Sequence, residues 1–348
     1  MTGVSIVDVA RRAGVSKSTV SRVLTRQPGV HPATLERVES AMRELAYRPN
    51  ALARGLVAGR THTLGLVVFS LHNPYFGLLA QGVEAAARAR GYNVLIMNSA
   101  ESEAQQQDCL DMLAERRVDG VAIVPIRSED EEIAAIHKAG LKAVLLNSTA
   151  GDASISSVGT DNEQGACLAT RHLLDLGHRR IGILGHLRSI SGNRERLRGY
   201  QRAHERAGIP ADGALVAQDL LRLERVRAAV AEMLDLADPP TAFFAVNDEL
   251  AIAALQALIE RGCRVPDDIA LVGYDDLPVA AWLSVPLTTV AQPNEELGRI
   301  GADLLIDLIE NPQTPVQRMV LQPRLVVRQS CGAALAKRKG GGTLGMLA

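Results

Sequence analysis

Residues 5–24 read SIVDVARRAGVSKSTVSRVL, and the nature of the first domain follows from them. Ser5 with Asp8 three positions later fits a capping box, so a helix starts here. Val9, Ala10 and Ala13 supply its packing side, and small Ala10 lets a second helix approach closely. Gly14 ends it, because a positive φ just past a helix costs least as glycine. Ser16 caps a second helix with Val20, Val23 and Leu24 on its inner side. Two short helices about one glycine turn make a helix-turn-helix. Lys17, Ser18 and Arg22 project away from the packed side. Such positions on a recognition helix reach base edges in the major groove, where Lys and Arg donate to guanine O6 and N7 and Ser donates or accepts. Thr19 and Ser21, with Ser16 and with Thr34 further on, suit phosphate oxygens, which fix register without reading sequence. A third helix follows, with Pro32 in its first turn and Leu35, Val38, Met42 and Leu45 stepping along one side to close a small core.

The charge distribution agrees with a polyanion partner. Residues 1–60 hold ten Lys and Arg against four Asp and Glu, a net +6, while the remainder holds 28 against 35, a net −7. A small basic head therefore precedes an acidic body, and the two nearly cancel in the chain's net −1. No apolar run reaches the roughly 20 residues that span a bilayer. The start MTGVSIVDVARRAG lacks the apolar core of a signal peptide, so a cytoplasmic, nucleoid-associated protein is expected. Cys109, Cys167, Cys263 and Cys331 are far apart and form no CxxC pair, so buried thiols in a reducing compartment are expected rather than a metal site.

Beyond residue 60 the pattern changes. LGLVVF, YNVLIM, DGVAIV, KAVLL, RIGIL, TAFFAV and DIALVGY are short apolar runs. Between them stand helical stretches such as GVEAAARAR, AQQQDCLDMLAER, GACLATRHLLDL and ELAIAALQALIERG. This alternation predicts parallel sheets covered on both faces, and about ten strands predict two lobes with a break near Asp161. Gly91, Gly140, Gly177, Gly208 and Gly262 stand where helices should end. Ligands of such sheets bind outside the carboxyl ends of the strands. Asn73, Tyr75 and Phe76 (in SLHNPYF), Asp161, Arg196, Asn247 with Asp248, and Asp275 lie in the stretches that follow strands. Converging arginine, carboxylate and amide groups suit a hydroxyl-rich ligand, since they bracket a diol with charge-assisted hydrogen bonds. The competing reading of the Asp and Asn residues is helix capping at βα turns. No GxSxG, HExxH, GxxxxGK[ST] or GxGxxG is present, so neither an enzyme nor a cofactor is indicated, and His172 and His178 read as surface or capping residues.

The head motif, followed by ERVESAMRELAYRPNALARGL at residues 36–56, resembles the LacI family of bacterial transcription factors, and the resemblance runs from about residue 4 to 330. It implies an all-α helix-turn-helix head and an α/β core of two doubly wound lobes, the fold of periplasmic sugar-binding proteins. The organisation it implies is a DNA-binding domain over 1–47, a hinge helix over 48–60 and an effector-binding core over 61–330. Within the core, the first lobe would comprise 61–160 and 291–321, the second 161–290 and 322–330. Residues 331–348 are glycine-rich, lack leucine heptads, and read as a disordered tail. The resemblance makes Lys17, Ser18 and Arg22 the main base readers. It pairs two hinge helices in a homodimer, with Leu56 wedged into the minor groove, Asn50 and Ala53 in the hinge, and Leu52 and Ala53 near the hinge contact. A two-fold dimer implies a palindromic operator. Gly55 departs from the longer side chain usual there, and a short helix weakened by glycine depends more on DNA to form.

The resemblance also carries Arg196, Asn247 and Asp275, with Phe76 and Asp161, onto effector-contacting positions. Three departures favour a neutral sugar or small polyol over a purine or phosphorylated compound. Ile190 replaces a cation and Gly192 a hydroxyl of purine-sensing relatives, and Leu220 replaces a stacking aromatic. The function implied is a repressor of carbohydrate-utilisation genes controlled by a sugar-like effector. A secreted solute-binding protein shares the core fold, but the basic helix-turn-helix head argues against it.

Overall fold

A computed structural model describes residues 4–24, 29–47, 60–149, 154–186, 190–220 and 222–333. The chain divides into a head unit and a core unit. In the head, α1 (Ile6–Ala13) opens on the expected capping box: the Asp8 N–H donates to Ser5 Oγ at 3.4 Å and the Ser5 N–H to Asp8 Oδ2 at 2.9 Å. Gly14 takes a φ of 66°, and α2 (Lys17–Leu24) starts with the Thr19 N–H donating to Ser16 Oγ at 3.1 Å. Helix α3 (Pro32–Glu44) carries proline in its first turn. Val9, Ala10, Ala13, Val20, Val23, Val38 and Ala41 form the core, with Leu24, Met42 and Leu45 packed at its margin. Leu35 is not part of it. It sits in the first turn of α3, beyond the reach of the short α1 and α2, and is 39% exposed, while small Ala41 takes an inward place. The hinge residues Asn50, Leu52, Ala53, Gly55 and Leu56 lie outside the described residues.

The core unit begins with β1 (Thr63–Val68), α4 (Pro74–Ala89), β2 (Asn93–Asn98), α5 (Glu103–Glu115), β3 (Gly120–Ile123), α6 (Glu129–Ala139), β4 (Ala143–Leu146) and β5 (Ser156–Thr160). The second series is α7 (Asn162–Asp175), β6 (Ile181–Leu184), α8 (Ser191–Arg206), β7 (Val216–Ala217), α9 (Leu223–Leu234), β8 (Ala242–Ala245), α10 (Asp248–Glu260), β9 (Ala270–Asp275) and β10 (Thr288–Ala291). Then come α11 (Asn294–Glu310), β11 (Arg318–Leu321) and β12 (Arg324–Val326). Two six-stranded sheets result, ordered β11-β5-β4-β3-β1-β2 and β12-β10-β9-β8-β6-β7. Strands β3, β4, β6, β8, β9 and β10 are buried along their whole length, as parallel strands covered on both faces must be. The one departure from parallel pairing among the registered ladders is β12, antiparallel to β10.

The chain changes sheets three times, after β5, between β10 and α11, and between β11 and β12. Helix α11 packs on β3, β4 and β5 of the first sheet, and above all on α4. That contact needs glycine: a Cβ at Gly298 would overlap the Leu79 carbonyl oxygen, and one at Gly82 the Glu295 carbonyl oxygen. The five helix-ending glycines all have positive φ, from 67° to 97°. Order continues past the expected start of the tail. Cys331 is 1% exposed, its Sγ 3.2 Å from His172 Nε2, because the closing turn folds back on α7.

Candidate functional site

The head presents one polar face. Ser16, Lys17, Ser18 and Arg22 are exposed, and Thr19, Ser21 and Thr34 are half-buried. Val20 and Val23 point the other way, into the core, so the helical period itself separates the packing residues from the candidate DNA contacts. Ser16 also has work inside the protein: besides the cap, its Oγ lies 2.7 Å from Ser18 Oγ and 2.9 Å from Thr19 Oγ1. No acidic residue stands in the first turn of α2, which leaves the positive helix end unopposed by carboxylates.

In the core, residues following the strands of both sheets line a cleft with about 520 Å³ of space, its open mouth included. Asn73, Tyr75, Phe76, Arg196, Asn247 and Asp275 all line it. Arg196, on the second turn of α8, is 6% exposed. Its Nε donates to Asn162 Oδ1 at 2.9 Å, its Nη1 donates to the Val246 carbonyl oxygen, and its guanidinium lies 3.8 Å over the Tyr274 ring. The same Nη1 is 3.7 Å from Asp275 Oδ1. Asp275 ends the buried strand β9 with a φ of 112°, a strained backbone at a residue that lines the cleft. Burial raises the Asp275 carboxyl to about 7, against the lowering effects of Arg196 and of Gln292, whose Nε2 donates to it at 2.7 Å.

Asn73 and Asn247 do two jobs. Their Oδ1 atoms cap α4 and α10, accepting the Tyr75 and Leu250 N–H groups at 2.8 Å, and both residues still line the cleft. A cap uses only the side-chain oxygen, so the capping reading and the ligand reading are compatible at these two positions. Asp161 differs. Its Oδ1 accepts the Gln164 N–H at 2.9 Å at the start of α7, and it is not among the cleft residues. At Asp161 the turn after β5 thus places the carboxyl as a helix cap, and the capping reading is the one its contacts carry. Its neighbour Asn162 is the residue that reaches inward, to Arg196 and, at 3.0 Å, to Glu195. Asp248 is also structural: its carboxylate accepts the Leu277 N–H at 2.8 Å and the Thr289 hydroxyl at 2.7 Å. Leu220 is corrected, since it is 3% exposed in the core of the second lobe, whereas Ile190 and Gly192 line the cleft. His172 and His178 are half-buried with side-chain partners, Cys331 and Thr241, rather than surface residues.

Three polar atoms at this cleft are buried without a hydrogen-bond partner among the described residues: Tyr75 Oη, Asn147 Oδ1 and Gln292 Oε1. Buried polar atoms left unpaired cost about 1–3 kcal/mol each, so their convergence on one opening marks a place where something else supplies the partners. Burial also raises the Tyr75 phenol, with Asp275 adding to the effect, so the group is a neutral hydroxyl that can donate and accept. His186 is driven down to about 4 by burial first and Arg196 second, so it too is neutral. Phe69 and Phe76 meet edge to face at 4.6 Å and give the wall an apolar patch. Ser70, Glu101, Asn147, His186, Asn193, Glu249 and Gln292 complete the polar lining, and none of these was a named candidate from sequence. Apart from Asn193 and Glu249, each closely follows a strand, a position that narrows the choice without separating a lining residue from a helix cap. Among the described residues, no group of three His, Cys, Asp or Glu side chains is placed to hold a metal ion.

Comparison with known proteins bears on both units. The family described as bacterial regulatory proteins of the lacI family matches residues 5–50, and a periplasmic binding protein-like domain matches residues 170–331. The chain is 34% identical to the HTH-type transcriptional repressor PurR of Photobacterium profundum, over 94% of this chain and 98% of that protein. It is 35% identical to the ribose operon repressor of Escherichia coli (strain K12), over 93% and 98%. The structure superposes on the lac repressor dimer bound to operator and the anti-inducer ONPF with a TM-score of 0.84, at 29% identity, covering 95% of this chain and 99% of that one. A helix-turn-helix head with its polar face outward, a two-sheet core with a polar cleft, and this similarity along almost the entire length have one explanation: the chain belongs to the LacI family of bacterial transcriptional regulators.

Proposed function

We propose that the chain is a sequence-specific repressor of carbohydrate-utilisation genes, acting from the cytoplasm as a homodimer whose grip on a palindromic operator is set by a sugar-like effector in the core cleft. The observation that carries the effector half is the convergence of Tyr75 Oη, Asn147 Oδ1 and Gln292 Oε1, all unpartnered, around the Arg196–Asp275 pair. A sugar offers a dense array of hydroxyls that can both donate and accept, which is the complement such a lining lacks. The apolar Ile190 and the bare Gly192 at the wall support an uncharged ring over a phosphorylated one.

In this reading residues 1–47 bind DNA, 48–60 form the hinge and 61–330 sense the effector. Lys17, Ser18 and Arg22 read bases, Ser16, Thr19, Ser21 and Thr34 hold phosphates, and Leu56 enters the minor groove beside Asn50 and Ala53. Exposed Leu71, Leu95, Ile96 and Met112 on the first lobe, with Ile259 and Trp282 on the second, supply apolar surface for the dimer. The chain performs no chemistry of its own; its work is the coupling of two binding equilibria. Its relatives' names support this, being those of a ribose operon repressor and a lac repressor bound to operator.

Selection of bound duplexes from random DNA, followed by a thermal-shift screen of free sugars, tests both halves. The expected result is a palindromic consensus and at least one sugar that raises the melting temperature by mass action and changes operator affinity. Failure to enrich any palindrome, with or without sugars, would refute the repressor reading.

A further inference from the structure

The cleft carries charge that the sugar reading does not use. Glu101 follows the edge strand of the first lobe, its N–H bonded to the Phe69 carbonyl oxygen at 2.9 Å, in a backbone with φ of 60°. Such a positive φ is unfavourable for glutamate and persists only where the surrounding structure imposes it. Glu249 opens α10 of the second lobe, where Asn73 of the first lobe holds its carboxyl down against the effect of burial. Both carboxylates line the opening, and Glu101 adds to the rise of the Glu249 carboxyl. Among the described residues, the cations that line the opening do not balance them. Arg196 is engaged internally, with Asn162, Val246, Tyr274 and Asp275. His186 is neutral. The lining therefore holds Arg196 against Asp275, with Glu101 and Glu249 in excess.

Resting on the sugar-effector reading above, we propose that Glu101 and Glu249, one from each lobe, select the effector by charge, favouring an amino-substituted sugar over its neutral parent and rejecting phosphorylated or carboxylated forms. An ammonium group entering the opening meets two carboxylates in a partly dry site, where attraction is several times stronger than in bulk water. A phosphate meets the same two charges, and among the described lining residues the one arginine, Arg196, is already engaged. Bringing the lobes together also brings the carboxylates together, so a cation between them, or a proton on one of them, eases closure. The groups facing Glu249 are Glu101, His72 and Asn73 from the first lobe and Asp275 from its own lobe. Partial loss of water raises the Glu249 carboxyl first and Glu101 second, while His72 and Asn73 oppose the rise; loss of water alone raises Glu101.

Matched sets test the charge rule: glucose, galactose and ribose, each with its amino-deoxy and phosphate derivatives, titrated calorimetrically at pH 7 against the full chain, E101Q, E249Q and the double variant. Within any set that binds, the amino form should bind tighter than the neutral parent and the phosphate weaker, by on the order of tenfold per step. In the double variant the neutral sugar should still bind and the order should flatten. A phosphate derivative that binds the full chain as tightly as its neutral parent overturns the proposal, as does an order that survives the double variant. A second measurement needs no ligand. Because both carboxyls are raised in the folded chain, their charged forms oppose folding, and the penalty grows as pH climbs above the ordinary glutamate range. E249Q should therefore raise the melting temperature at pH 8 and not at pH 4, and more so with Glu101 present than in the E101Q background. A panel in which no sugar binds removes the sugar reading, and the carboxylate pair is then judged by this measurement, additive effects of E101Q and E249Q overturning it.

Discussion

Asp275 to asparagine separates binding from stability. The carboxyl stands at about 7 in the folded chain against 3.8 for an ordinary aspartate. Each unit is worth about 1.4 kcal/mol, so the ionised side chain costs the fold up to about 4 kcal/mol relative to its protonated form. With the folded value above the unfolded one, the chain is most stable while Asp275 is protonated. Stability falls as pH rises from about 4 toward 7, and the loss is complete above that range. An asparagine mimics the protonated state and keeps an oxygen for the Gln292 amide that donates at 2.7 Å. At pH 8 the variant should unfold several degrees higher than the parent, taking about 2–4 °C per kcal/mol for a core of this size. At pH 4 the two should coincide. The same variant should lose its effector response while keeping its operator, because the charge that brackets a diol with Arg196 is gone. Calorimetric melting at the two pH values and operator titration with and without sugar read both effects. A variant that melts at or below the parent at pH 8 refutes the balance assigned to this carboxyl, and a normal effector response removes Asp275 from the site.

Arg22→Ala should relax base preference and cost about 1–3 kcal/mol in operator affinity if the guanidinium is bidentate to guanine, measured by competition among single-base operator variants. Leu56→Ala should reduce DNA bending in the complex, read by circular-permutation electrophoresis, with a smaller effect on head folding. Gly298→Ala should destabilise the core by about 1–3 kcal/mol or more, since a Cβ there meets the backbone of α4, and calorimetry should show the loss in the core transition.

Much of the architecture was legible because it rests on local patterns with strong physical causes. The capping box at Ser5 and Asp8, the turn at Gly14 and the five helix-ending glycines all reappear with the geometry that their residue types require. Strands such as TTVA and RMVL were harder to see. Each run is only four residues long, TTVA half polar and RMVL opening on arginine, and both flank places where the chain crosses between sheets, a tertiary reason with no local signature. Leu35 shows the same limit in reverse, a correct helical period that outruns a core only three short helices wide. In the cleft, Asp275 stood out because a charge closing an apolar run is costly and therefore informative, whereas Arg196, inside the polar run NRERLRGY, was reached through the family resemblance. Glu101, Asn147 and Gln292 did not stand out, since nothing local separates a polar residue after a strand that faces the opening from one, such as Asp161, that caps the next helix.

The position of Gln292 links the ligand to the crossing between lobes. It lies just past β10, where the chain leaves the second sheet for the first, and it holds the carboxyl of Asp275 while its own carbonyl oxygen is unpartnered. A sugar hydroxyl that donates to that oxygen, or that takes over Asp275, acts on the segment that joins the two sheets. Effector binding and lobe angle then become one equilibrium, and if operator DNA prefers one angle the two ligands are coupled, by about 1–3 kcal/mol in typical cases. Coupling of this kind is reciprocal, so saturating operator must change sugar affinity by the same factor that saturating sugar changes operator affinity. Gln292→Leu removes the link while leaving Arg196 and Asp275 in place. It should weaken the coupling in both directions equally, and a change seen in only one direction would show that the two measurements do not report the same equilibrium.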